Sequence, residues 1–211
     1  MQPIALQSSL CDRHEGSSAD RTPSADLRKI PLMLKSPGED ITIVLMNVEP
    51  WLSGTRSDED PVRAAVLYSF DHAIADIRKW TAGLTEEKLW AVRGDVGSVG
   101  FHIRHIAGSV DRLTTYAVGG QLSEQQMAEL KNEAVPGQPL SELLTSLETT
   151  LKRAGQALLE LGDIDYTTVR EIGRKRVPVP LGVLLVHVAE HTQRHVGEVI
   201  VTTKLVRGTW Q

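Results

Sequence analysis

The chain has 211 residues, and its 41% hydrophobic content is enough to bury the core of one domain. A formal net charge of −4 excludes a global basic field of the kind that binds nucleic acid or an anionic membrane, so we expect neither as a partner. Cys11 is the only cysteine and lies in a polar stretch, which excludes an internal disulfide and a buried catalytic thiol in the folded part.

The first 45 residues differ in character from the rest. They mix charged residues with Ser, Pro and Gly without a period of 2 or 3.6, so we expect residues 1–45 to be a disordered extension of a domain at 46–211. Met46 opens a stretch of different composition, and we hypothesise that it is the natural start and that residues 1–45 are not native. With no apolar run of about 18 residues and no signal-peptide core, the protein is expected to be cytoplasmic.

The domain begins with two predicted amphipathic helices. Pro61 follows a run of acidic residues and suits the first turn of a helix, and "VRAAVLYSFDHAIADIRKW" after it carries an apolar stripe at helical spacing. Ser98 is the predicted N-cap of the second helix, "VGFHIRHIAGSVDRLTTYAVGG", which ends at Gly119 and Gly120.

Two further long helices complete the predicted fold. A short polar helix is expected at 121–133 in a crossover, and Ser141 is the predicted N-cap of the third long helix. The segment "TTVREIGRKRVPVP" is predicted to be an extended connection, and the fourth and most apolar helix runs from 180 to 208. The fold class is therefore all-α, a four-helix bundle with long crossover connections.

The fourth helix contains "HVAEHTQRHVGE", in which His187, His191 and His195 lie four residues apart. Helical residues at this spacing share a face and are about 6 Å apart along the axis, so two neighbouring imidazoles can reach one metal ion. One ion can take His187 with His191, or His191 with His195, and a third ligand must then come from another helix.

The second helix supplies candidates for that third ligand, since His102 and His105 lie three apart in "FHIRHIAGS". A single histidine is more often an exposed or hydrogen-bonded residue than a ligand. Five of the seven histidines fall on two helices, however, and this concentration favours a metal site. His14 and His72 have no spaced partner and are expected to lie outside it.

One short motif points to different chemistry. "HVAEH" fits the H-x-x-E-H pattern of inverted zinc peptidases, in which Glu190 would be the general base. Only Glu198 remains downstream as an acidic ligand, so the context that such peptidases need is poor.

Arg104 and Arg194 adjoin candidate ligands in sequence. Their side chains point about 100° away from those ligands and are expected to extend to the surface.

The segments "SVGFHIRHIAGSVDRLTTYA" and "LLVHVAEHTQRHVGEVIVTTKLV" together resemble the DinB/YfiT-like family, from about Val48 to the C-terminus. The resemblance implies a four-helix bundle with a divalent metal held by one histidine of the second helix and an H-x-x-x-H pair of the last. By the matches "HIAG" and "HVGE", these ligands fall on His105, His191 and His195.

The resemblance gives the remaining site residues a place around the ligands. His102, His187 and Glu190 become candidates for the cavity wall. Glu198 stands where many relatives have Gln, and it either adds a carboxylate near the metal or points to solvent.

Three neutral imidazoles leave a divalent ion an open position, which is typical of catalytic sites. We expect Zn or Ni, with Fe or Cu as alternatives. The preferred function, which the family resemblance implies, is a thiol S-transferase in detoxification or stress response, with a low-molecular-weight thiol as cosubstrate and a small-molecule electrophile. The alternatives are a metal-dependent amide or ester hydrolase, and a non-catalytic metal-binding or dimerisation bundle; a homodimer is compatible with each.

Overall fold

The computed structural model describes residues 49–208. The predicted extension at 1–45, with Cys11 and His14, and the predicted start at Met46 therefore lie outside the described residues. Within the described part, no helix is both long enough and apolar enough to cross a lipid bilayer.

The described chain is mainly helical, which confirms the all-α prediction. Its helices are α1 (Pro61–Thr81), α2 (Glu86–Trp90), α3 (Val99–Ala117), α4 (Glu124–Asn132), α5 (Leu140–Leu159) and α6 (Leu181–Arg207), and its strands are β1 (Val169–Ile172) and β2 (Val177–Pro180). A 3-10 helix at Pro50–Leu52 lies before α1 in the described part of the chain.

The starts of α1 and α3 follow from local capping chemistry. The side chain of Asp60 accepts hydrogen bonds from the backbone N–H groups of Val62 and Arg63, with Pro61 at the first helical position. Ser98 accepts from the backbone N–H of Phe101, as its sequence position predicts.

The predicted cap of α5 is wrong. The helix begins at Leu140, before Ser141, and the carbonyl of Pro139 accepts from the backbone N–H groups of Glu142 and Leu143. The proline ring fixes φ near the value at which the chain enters a helix, so Pro139 determines the start and no side-chain cap is needed.

Two small elements connect the long helices. Helix α2 has five residues, too few for periodicity to show, and packs through Leu89, which is completely buried. The predicted extended connection is an antiparallel hairpin in which Val169 pairs with Pro180 and Ile172 with Val177.

The four long helices enclose one hydrophobic core. Helix α6 packs against α1 and α3, and α5 packs against the same two helices. Each apolar side chain removed from water in this core contributes roughly 1.5–3 kcal/mol to stability. The largest of these fully buried side chains include Ile77, Ile103, Ile106, Leu147, Leu151 and Leu185. This packing sets α3 and α6, the two histidine-bearing helices, side by side.

The crossover at 121–139 is attached to α3 by Arg104, a partly exposed side chain. Its Nη1 donates to the carbonyls of Asn132 (2.8 Å), Glu133 (3.2 Å) and Val135 (2.6 Å). Its guanidinium also lies 4.8 Å from the ring centroid of Trp90. Arg104 thus holds the end of α4 and the following loop against α3.

Candidate metal centre

Three imidazoles meet where α3 faces α6. The ring centroid of His105 lies 4.4 Å from that of His195 and 5.2 Å from that of His191, and the two α6 rings are 4.6 Å apart. The pair on α6 shares a face because four residues complete slightly more than one helical turn. His105 reaches the pair only because the core packs α3 beside α6.

This triad could hold a metal ion. One ring nitrogen of each histidine lies within 4.8 Å of one from each of the others, and all three side chains are partly buried. Three imidazoles from two helices suit a divalent transition metal such as zinc. Nδ1 of His191 is buried and has no hydrogen-bond partner in the described part of the chain, so the protein by itself leaves a ligand atom unsatisfied there.

The imidazoles of His191 and His195 are held in the form that binds metals. Burial, with smaller contributions from the neighbouring histidines, lowers the pKa of His191 to about 4. Burial also lowers the pKa of His195, although Glu198 opposes this change. Both rings are therefore neutral at pH 7, and a neutral imidazole has the free lone pair that a metal requires.

The third imidazole, His105, contacts a glutamate that no sequence motif indicates. Oε2 of Glu133 lies 2.6 Å from Nδ1 of His105, and Oε1 accepts from Nη1 of Arg112 at 2.7 Å. Glu133 is only 3% exposed although it follows a polar helix. Its position 28 residues after His105 gives no periodic signal, so the contact is visible only in the folded chain.

Glu198 lies at the site and does not point only to solvent. Its Oε2 is 2.5 Å from Nδ1 of His195 and 2.9 Å from Nδ1 of His102, and the two Nδ1 atoms are 3.3 Å apart. His102, His195 and Glu198 form a second group whose ligand atoms are close enough to hold a metal ion. The two candidate groups share His195.

His187 and Glu190 lie on the outer side of α6. Their side chains are 46% and 47% exposed, and Nδ1 of His187 is 3.2 Å from Oε2 of Glu190. Glu190 also forms an ion pair with Arg194, whose hydrogen bond lowers the pKa of the carboxyl group. The ring of His187 is 5.3 Å from that of His191 but belongs to neither candidate ligand group.

An aromatic side chain covers the α3 side of the site. The ring of Phe101 stacks on His105 at a centroid distance of 5.5 Å and meets His102 edge-on at 5.0 Å. A cleft of about 880 Å³ between α3, α4 and α5 is lined by Glu133 and Arg104 but by none of the histidines.

Comparison with models of known protein families identifies the family of this chain. A family model described as the DinB superfamily matches residues 69–199, a range that includes all the histidines of both candidate groups. No curated protein matches the chain significantly.

Proposed function

The chain belongs to the DinB superfamily, and we propose that it is a divalent-metal-dependent thiol S-transferase whose ion is held by His105, His191 and His195. The observation that carries the proposal is the convergence of these three imidazoles, with no carboxylate among them, at the contact of α3 and α6. Zinc or nickel is the expected metal, with iron or copper as alternatives.

A divalent ion held by these three neutral ligands would keep its full positive charge and an open position, and would lower the pKa of a thiol bound there. In the reaction, the thiol loses its proton to solvent and its sulfur forms a bond to a carbon of the electrophile. The leaving group departs with the electrons of the broken bond. The chain's own contribution is to keep His191 and His195 neutral and to limit water beside His105 through Phe101.

The exposed position of Glu190 supports a transferase over an inverted zinc peptidase. A peptidase of the H-x-x-E-H type needs this glutamate as a free general base. Here its carboxylate is paired with Arg194 and contacts His187, on the outer side of α6.

A metal-dependent hydrolase is the second candidate, and one observation favours it. His102, His195 and Glu198 form a group of two histidines and one glutamate, which is the ligand set of several zinc hydrolases. This ligand set differs from the three histidines proposed for the transferase, although a hydrolase could also use those three.

Calorimetric titration with zinc and nickel, on protein stripped with a chelator, separates the two ligand sets. We expect one ion per chain and a complete loss of binding in His105→Ala, with binding retained in His102→Ala. The reverse result, loss in His102→Ala and retention in His105→Ala, would support the hydrolase ligand set. Circular dichroism of each metal-free variant checks that it is folded.

Turnover distinguishes an enzyme from a non-catalytic bundle. The metal-loaded protein is assayed with a panel of thiols, including cysteine and glutathione, against a chromogenic halogenated aromatic electrophile, and separately with chromogenic esters and amides. We expect thiol consumption that depends on the ion and on His191. Tight metal binding without turnover in any assay would favour a metal-binding or dimerisation role, and light scattering would then test the proposed homodimer.

A further inference from the structure

The crossover at 121–139 buries a single residue, and that residue is charged. Every other position of this segment is exposed or only partly buried, including all of α4. Burying a carboxylate is unfavourable unless its charge is compensated and its oxygens accept hydrogen bonds. The contacts of Glu133 must therefore provide that compensation.

Both oxygens of Glu133 are used, each by a different group of α3. Arg112, itself buried, supplies the compensating charge at Oε1. His105 contacts Oε2 through Nδ1 at 2.6 Å, and because an ionised carboxylate only accepts hydrogen bonds, Nδ1 must be the donor. In the neutral imidazole, Nε2 then carries the lone pair.

The surface of α3 leaves space for this carboxylate at Gly108. A Cβ atom at Gly108 would lie 2.7 Å from Nη1 of Arg112 and even closer to Oε1 of Glu133, well inside van der Waals contact. The absence of a side chain at this position therefore allows the carboxylate and the guanidinium to meet against the helix.

We propose that Glu133 is a positioning residue for the metal centre, which fixes the ring and the tautomer of His105 so that Nε2 is the metal-binding atom. The inference rests on the proposed ligand role of His105. Carboxylates that accept the second N–H of a ligating histidine typically change metal affinity about 10- to 100-fold when they are replaced. Here the carboxylate comes from the crossover, so the fit of the crossover to α3 contributes to the metal centre.

The substitution Glu133→Gln tests the proposal because an amide has one accepting oxygen where the carboxylate has two. The amide NH₂ must then face either Arg112 or Nδ1 of His105. Gly108→Ala is a second variant that removes no polar group and improves helix propensity, yet displaces the carboxylate. Glu129→Gln is the matched control, since Glu129 is an exposed glutamate one turn earlier on α4.

Three measurements are made on each protein: zinc affinity by competition with a chelator, the visible absorption spectrum of the cobalt(II)-substituted protein, and thermal unfolding without metal. We expect Glu133→Gln and Gly108→Ala to lower zinc affinity about 10- to 100-fold and to change the cobalt spectrum. Glu129→Gln should match the wild type in all three.

The outcomes separate this inference from the proposed function. Unchanged affinity and an unchanged spectrum in both variants, while His105→Ala abolishes binding, would overturn the role of Glu133 alone, even if metal-free stability falls. Binding that survives His105→Ala would overturn the ligand assignment and the inference with it. An altered cobalt spectrum in Gly108→Ala with normal metal-free stability would support a positioning role over a purely structural one.

Discussion

One carboxylate oxygen of Glu198 lies 2.9 Å from Nδ1 of His102, a histidine that is only 4% exposed. The same oxygen lies 2.5 Å from Nδ1 of His195, one of the proposed ligands. Glu198 therefore links a buried histidine to the proposed metal centre, where it would either orient His195 or bind the ion.

The substitution Glu198→Gln distinguishes these roles. If the carboxylate orients His195 through Nδ1, the variant should still bind one ion per chain, with affinity lowered about tenfold, because an amide oxygen can accept the same hydrogen bond. Zinc calorimetry beside His195→Ala provides the measurement. If Glu198→Gln loses as much zinc affinity as His195→Ala does, Glu198 is a ligand of the ion.

His187 and His191 should respond differently to removal. His191→Ala is expected to abolish metal binding, because this ring is part of the triad and its buried Nδ1 has no partner in the described chain. His187→Ala should leave affinity within about threefold of the wild type, since His187 is half-exposed and pairs with Glu190. Equal metal loss in the two variants would contradict the ligand assignment.

The metal-free protein should become less stable as the pH falls from 7.5 to 4.5. Burial lowers the pKa of His102, His191 and His195 in the folded state, to about 4 for His191. In the unfolded chain these groups have a pKa of about 6.5. As the pH falls below this value, the unfolded state therefore takes up protons that the folded state does not.

Thermal unfolding across this pH range, in the presence of a chelator, measures the effect. The midpoint should fall with pH in the wild type and fall less steeply in His191→Asn. Parallel pH profiles of the two proteins would show that His191 is not the group responsible.

The attachment of the crossover can be tested at Arg104. Arg104→Met keeps an apolar stem against Trp90 but removes the donors to three carbonyls, and it should lower the free energy of unfolding by about 2–3 kcal/mol. Arg194→Met is the control and should cost under about 0.5 kcal/mol, because its ion pair with Glu190 is exposed.

Urea denaturation gives both values for the Arg104 and Arg194 variants, and hydrogen exchange reports on the crossover itself. We expect faster exchange at 124–139 in Arg104→Met alone. If Arg104→Met lowers the free energy of unfolding no more than Arg194→Met does, other contacts hold the crossover.

The positions of the long helices could be predicted because they depend on local signals in the sequence. Apolar residues at helical spacing define α1, α3, α5 and α6, and the side chain of Ser98 caps α3 as its position indicates. The predicted start of α5 was wrong because two residues that can begin a helix lie close together. Pro139 is the N-cap and the helix begins at Leu140, so Ser141, two residues after Pro139, is not the cap.

Only the part of the candidate site in which histidines recur at helical spacing could be predicted from the sequence. His187, His191 and His195 stand out by their spacing, whereas the choice of His191 with His195 as the pair, and of His105 over His102, came from a family resemblance. Glu133 could not be found, because a lone glutamate after a polar helix is usually solvated and its burial depends on Arg112, Gly108 and His105 in another element.

The division of the proposed ligands between α3 and α6 would link metal supply to the lifetime of the protein. An unfolded chain can offer the ion the histidines of one segment, but it does not assemble all three. An ion at a free concentration of about 100 times its dissociation constant would add roughly 2.7 kcal/mol to stability. Starvation for the metal would then expose the chain to proteolysis, so the cell would hold less of this protein when the ion is scarce.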